Sequence, residues 1–250
     1  MTSATAGEIV PTLLGLLVLC ALSVLVLTVA GVPERFGPTL AVLRATVQLA
    51  VIALILTGVI TSPWWVALAL VVMLTVAVGT SSRRLGWTRR HVLVVGTGIG
   101  SGAVVALGAV FATGALAATP RYLLAIGGIV VGNAMAITTL SARRFLEALD
   151  EHWDEVEGWL ALGALPQEAT RSLARGAVHT ALVPSVDQTK TTGLVTLPGA
   201  FVGAIFGGLP PFEAGRFQIV VLAAIIAAGA VASTVTIRLL GGVEQRPVRR

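Results

Sequence analysis

Charge is scarce in this chain. Acidic and basic residues together make up 12% of its 250 residues, where a soluble domain carries roughly 25%. Cysteine occurs once, as Cys20 inside an apolar run, which excludes an internal disulfide and leaves a small hydrophobe. Histidine occurs three times, as His91, His152 and His179, with no two at the spacing of a metal-ligating pair. No metal site is therefore read from the sequence. The pattern Gly-x-x-x-x-Gly-Lys-Ser/Thr is absent, and Lys190–Thr191 lacks the glycines of a phosphate loop. The chain has no known device for cradling ATP, so no cofactor is assigned to it. "GTGIGSG" at 96–102 departs from the dinucleotide fingerprint and falls in mid-span. Residues 1–7 hold no Lys or Arg, so a cleaved signal peptide is not expected.

What is present is apolar. Hydrophobic residues account for 56% of the chain, and its mean hydropathy is +0.92. A hydrocarbon core about 30 Å thick takes about 20 residues of apolar helix to cross. The stretches 9–30, 39–61, 63–80, 91–113, 120–140, 192–208 and 217–240 qualify. The fold class is all-α: a polytopic membrane bundle of about seven transmembrane helices, one permease-like domain over 1–250.

Basic residues set the orientation. Arg35, Arg83, Arg84, Arg89, Arg90, the stretch Arg143 to Lys190 and the tail arginines Arg246, Arg249 and Arg250 fall on one set of connections. The opposite set is nearly bare, with Arg121 and Arg216 alone. Because basic loops stay cytoplasmic, the N-terminus is expected outside and the C-terminus inside a multi-pass cell membrane protein. The asymmetry also explains the net charge of +5 with a lipid bilayer as partner and no nucleic acid.

The weakest expected span is 192–208. Pro198 interrupts it, so a broken or re-entrant helix competes with a plain span, and spanning is favoured because re-entry would put the arginine tail outside. Gly199, Gly203 and Gly207 recur four apart, a small-residue face suited to helix packing. Gly98 with Gly102, and Gly128 with Gly132, repeat the theme.

One polar island runs from Ser141 to Thr191. Leu146, Leu149, Trp153, Val156 and Leu160 form an apolar stripe opposite Glu147, Asp150, Glu151, Asp154 and Glu155. Such an acidic face suits neither lipid nor an anionic leaflet, so the stripe is expected against protein. Gly163 is placed to end one helix, Pro166 to open the next, and Glu168 falls in that helix's first turn. A cytosolic helical hairpin over 141–191, with a second arm from about Pro166 toward Val183, is the expected result. It either caps the bundle or docks into a partner.

"EGWLALGALPQEA", "ALVPSVDQTKTTGLVTLPG" and "QIVVLAA", with "LRATVQL" at 43–49 and "GNAM" at 132–135, resemble the FetB-type permease family in the same order along nearly the whole chain. That family comprises membrane subunits of ABC transporters linked to iron export and, in plant relatives, to aluminium tolerance. The resemblance implies a separate ABC ATPase subunit carrying the ATP and magnesium, and a pair of permease chains. It also implies that Glu157, Leu162, Gly163, Ala164, Pro166 and Ala169 couple the two. Where family members often carry methionines, this chain has Ile129, Ala200 and Phe201.

Candidates for the translocation path are few. Arg44 and Gln48 lie one turn apart in the second span, Asn133 lies deep in the fifth, and Asp187 and Lys190 are placed to pair at the cytosolic mouth of the opening to 192–208. For Arg44 an interfacial anchor competes with a path role, and for Asn133 an interhelical hydrogen bond competes with a ligand contact. Two other classes remain: a self-contained secondary transporter, which would need an intramembrane carboxylate and inverted repeats, and a membrane-embedded lipid-modifying enzyme, which would need a cluster of catalytic groups at one face.

Overall fold

A computed structural model describes residues 6–59 and 62–242. The tail arginines and the end of the second expected span at 60–61 lie outside the described residues. The chain divides into two compact units, 1–59 and 60–250.

The first unit is a helical hairpin of α1 (Ala6–Val29) and α2 (Gly37–Val59). Gly31 turns the chain with a φ of +66°. At 1.5 Å per residue each helix is about 35 Å long, enough to cross a bilayer. Leu17, Val18, Leu25 and Leu43 are exposed on its surface, the arrangement expected of helices whose solvent is lipid.

The second unit contains α3 (Pro63–Arg84), α4 (Arg89–Ala112), α5 (Pro120–Glu151), α6 (Trp153–Ala161), α7 (Pro166–Ala169), α8 (Arg171–Thr191), α9 (Gly199–Phe206) and α10 (Pro211–Leu240). Its helix starts follow sequence. Thr88 Oγ1 accepts from His91 N–H at 3.1 Å, and Thr119 Oγ1 accepts from Tyr122 N–H at 3.3 Å ahead of Pro120 in the first turn.

Small residues build the core. A side chain at Gly98 would strike Thr236 and come within 2.8 Å of the Ala232 carbonyl, and one at Gly102 would strike the Ala228 carbonyl. The α4 and α10 backbones therefore run antiparallel in close contact, the mode available to helices without a hydrophobic drive between them. Gly229 of α10 receives Ile137 of α5, and Gly127 receives Leu70 of α3. Ser81 and Thr139 share a buried 2.7 Å hydrogen bond between α3 and α5. Among the described residues no strand forms, apart from a single bridge between Thr192 and Thr196.

One end of this unit bears Arg83, Arg84, Arg89, Arg90 and Arg238 together with α6 and α7, and is called the arginine-bearing end. Arg90 Nη2 donates to the Gly242 carbonyl across it at 3.4 Å.

Two expectations are corrected here. The segment 192–208 is not a span: it holds a tight turn, closed by Gly193 N–H to Thr196 O at 2.9 Å, and then the eight residues of α9. Eight residues rise about 12 Å, less than half the hydrocarbon thickness. The second arm of the polar island does not stop near Val183 in a protruding hairpin either; α8 runs to Thr191, packed along α5 and α10 with Ala177 and Ala181 buried.

Candidate functional site

The polar island gives two structures of different character, a tip and a rail. The tip lies at the arginine-bearing end. α5 continues the apolar span to Glu151, breaks at His152, and resumes as α6. Leu149, Trp153 and Val156 of the expected stripe are buried, while Glu147, Glu151, Asp154 and Glu155 are exposed, so the stripe meets protein.

Gly163 then ends α6 with a φ of +88°, a conformation that side-chain-bearing residues rarely adopt. Its N–H donates to Leu160 O at 2.9 Å, and Ala164 N–H donates to Trp159 O at 3.0 Å, which closes the helix in a Schellman turn. The backbone N–H of Leu165 donates to Glu168 Oε2 at 3.3 Å, tying Pro166 and α7 to the turn. Ala169 is buried, which anchors the far side.

Of the family-implied coupling residues, Glu157, Leu162 and Gly163 are exposed, Ala164 and Pro166 are half-buried, and Ala169 faces inward. Leu162 is 83% exposed and Leu165 65%, with Trp159 also exposed beside them. An apolar crest on an otherwise acidic knob marks a contact surface. Trp159 was not singled out from sequence, because its place in the α6 turn shows only once the Schellman closure is known.

The rail is α8. Thr170, at its start, donates to Pro166 O at 2.9 Å, and its hydroxyl lies 3.4 Å from the Gly241 carbonyl at the end of α10. At its other end the chain passes to α9, where Phe201 lies against Gly215 near the beginning of α10. α8 is therefore antiparallel to α10 over its length, about 31 Å by helical rise. Its exposed face carries Ser172, His179, Thr180, Asp187 and Lys190, with Val183 as the large apolar residue. Lys190 Nζ and Asp187 Oδ1 do pair, at 3.1 Å. They pair about 24 Å along α8 from Arg171, toward the end away from the tip.

The remaining candidates are dispersed. Asn133 Nδ2 donates to Ile129 O of its own helix at 2.8 Å, which engages one N–H of the amide within α5. Arg44 and Gln48 are exposed on α2 of the first unit. A side chain at Gly199 or Gly203 would meet nothing within 4 Å, and Gly207 approaches only its own helix. Pro198 caps α9. Within the chain, close packing falls to Gly98, Gly102, Gly127, Gly128 and Gly229 instead. Among the described residues no three His, Cys, Asp or Glu side chains come together as a metal site.

A chain with five apolar helices long enough to cross a membrane, assembled on glycine seams, defines a multi-pass helical membrane protein. Comparison with known proteins gives the family: residues 10–242 match the model described as uncharacterised protein family UPF0014, and the chain belongs to that family. It is 37% identical over 195 residues to the UPF0014 membrane protein STAR2 of Oryza sativa subsp. japonica, covering 77% of this chain and 68% of that one. It is 35% identical over 192 residues to the protein ALUMINUM SENSITIVE 3 of Arabidopsis thaliana, covering 76% and 70%. To the probable iron export permease protein FetB of Escherichia coli (strain K12) it is 34% identical over 120 residues, covering 48% and 46%. No solved structure matches it.

Proposed function

We propose that this chain is the membrane-spanning permease subunit of an ABC transporter, driven by a separate ATPase that binds the ATP and magnesium. The observation that carries the reading is the direct join between tip and rail. The exposed crest at Leu162–Leu165 connects through the single turn of α7 to α8, with no linker between them. A partner that moves the tip therefore moves a polar helix that runs the length of the bundle.

On this reading the bilayer is crossed seven times, by α1, α2, α3, α4, α5, α8 and α10. The arginine-bearing end is cytoplasmic by the positive-inside rule, which puts the C-terminus inside and the N-terminus outside. The polar face of α8 does not suit hydrocarbon, since His, Asp and Lys at membrane depth turn toward protein or water. A second copy of the chain supplies the cover, and the path runs between the two α8 helices, past His179 and Asp187. The cargo is taken as iron or another metal ion from the printed name of the bacterial relative. Carrying such an ion across, with ATP hydrolysed on the partner, makes this chain a transport subunit rather than an enzyme.

The test is Gly163→Trp. It adds a ring at the crest and removes the residue suited to positive φ. Recovery of the ATPase with purified permease, and iron-stimulated ATP hydrolysis, should each fall at least tenfold while permease yield holds. Retention of both would reduce the tip to a cap on the bundle.

A further inference from the structure

Between the first turns of α8 and the last turns of α10 lies a cavity of about 560 Å³ at the arginine-bearing end. That volume is within the range of small-ligand sites, roughly 300–1,000 Å³. Arg171 and Arg175 line it from α8, and Arg238 from α10, above an apolar floor of Ala174, Val178 and Ile237. Among the described residues none of these three guanidiniums has an acidic partner: the ion pairs shown are Arg144–Glu147 and Lys190–Asp187. Glu168 also lines the cavity and accepts from the backbone N–H of Leu165 at 3.3 Å, so the lining carries three guanidiniums against one carboxylate. The three guanidiniums are exposed at the cavity's rim, where an anion can reach all of them. Arg171 and Arg175, four apart on one helix, are themselves an unfavourable pair.

We propose that this cavity binds a phosphate group, presented by the headgroup of an anionic phospholipid. The guanidinium fork matches phosphate oxygens in pairs, which an ammonium does not. The cavity's position selects the source. Arg238 stands in the last turn of α10, where a span-length helix leaves hydrocarbon for headgroups, and basic pockets between helices at that depth hold lipid phosphates. The apolar floor continues the site toward the glycerol and the first acyl carbons, which a free phosphate would leave unused. Thr234 lines it as well and offers a hydroxyl to the headgroup. The proposal rests on α8 and α10 lying across the membrane, and not on docking of an ATPase at the tip.

Full-length protein purified in neutral detergent is the material for the test. Phosphatidylglycerol, added well above its dissociation constant, should raise Tm by about 5 °C. Phosphatidylcholine should leave it unchanged. In Arg175→Gln/Arg238→Gln the shift should shrink to a third or less. Gly163→Trp should keep the full shift, so failure here and failure of tip docking are separately visible. A shift of equal size with phosphatidylcholine, or one undiminished in the double variant, overturns the site. If millimolar inorganic phosphate alone reproduces the whole shift, the phosphate is soluble and the lipid assignment is overturned. Native mass spectrometry of the wild type provides an independent check that needs no variant: a retained anionic lipid supports the site, and release of all anionic lipid under conditions that keep the fold overturns it.

Discussion

α8 and the segment 192–208 exchange the roles that composition suggests for them. α9 is apolar along its length but only eight residues long, and it sits at one end of the bundle beside the start of α10. α8 carries Arg171, Arg175, His179, Asp187 and Lys190, and it is 21 residues long and packed along α5 and α10. The difference teaches what hydropathy measures. It reports the preference of a helix for lipid on all sides, whereas a helix packed on α5 and α10 needs apolar residues only on the side that meets them. On α8 that side holds Ala177 and Ala181, both buried, with Leu173, Ala174, Val178 and Leu182 partly buried against the core, and it leaves the opposite face to polar side chains.

The sharpest way to break the comparison is to close the seam that holds α8's support in place. Gly102→Leu would drive a side chain into the Ala228 carbonyl of α10, backbone that cannot yield. Folded protein recovered as a single size-exclusion peak should fall tenfold or more. A normal yield would mean that α4 and α10 do not approach as closely as the structure shows.

Charge on the rail comes next. On the proposed reading, in which α8 crosses the membrane, Lys190→Ala leaves Asp187 without its 3.1 Å partner. Transport should fall about three- to tenfold, and Asp187→Asn added to it should restore part of the loss, because the two residues act as one unit. Equal defects in the single and double variants would show that Lys190 acts alone.

The smallest effect belongs to α9. Its glycine spacing reads as a packing face, yet nothing lies within 4 Å of a side chain at Gly203. Gly203→Leu should change transport less than twofold and leave Tm within about 2 °C. A collapse comparable to that of Gly102→Leu would place a helix of the second copy against α9.

Several features were legible in the sequence because they depend on local chemistry. The five apolar spans, the positive φ at Gly163, the burial of Trp153 and Val156 and the pairing of Asp187 with Lys190 all follow from residue type and spacing. The extent of α8 was hidden for a physical reason: it packs on α5 and α10, so little in its composition marks where it ends. The glycine motifs show the same limit. Gly98–Gly102 and Gly199–Gly203 look alike in the chain, and only the neighbouring helix distinguishes a seam from an open face. The arginine cavity combines α8 with α10, elements about sixty residues apart, and no local pattern joins Arg175 to Arg238.

The central claim, that α8 carries the chain from the tip to the other side of the membrane, is tested most directly by cysteine accessibility in intact cells. Cys20→Ser removes the native thiol. Single cysteines are then placed at the tip by Ala164→Cys and just beyond α8 by Leu194→Cys, a residue 89% exposed. A membrane-impermeant maleimide should label the cysteine at 194 from outside and reach the one at 164 only after permeabilisation. Labelling of both positions only after permeabilisation would return α8 to the cytosolic side and contradict the account.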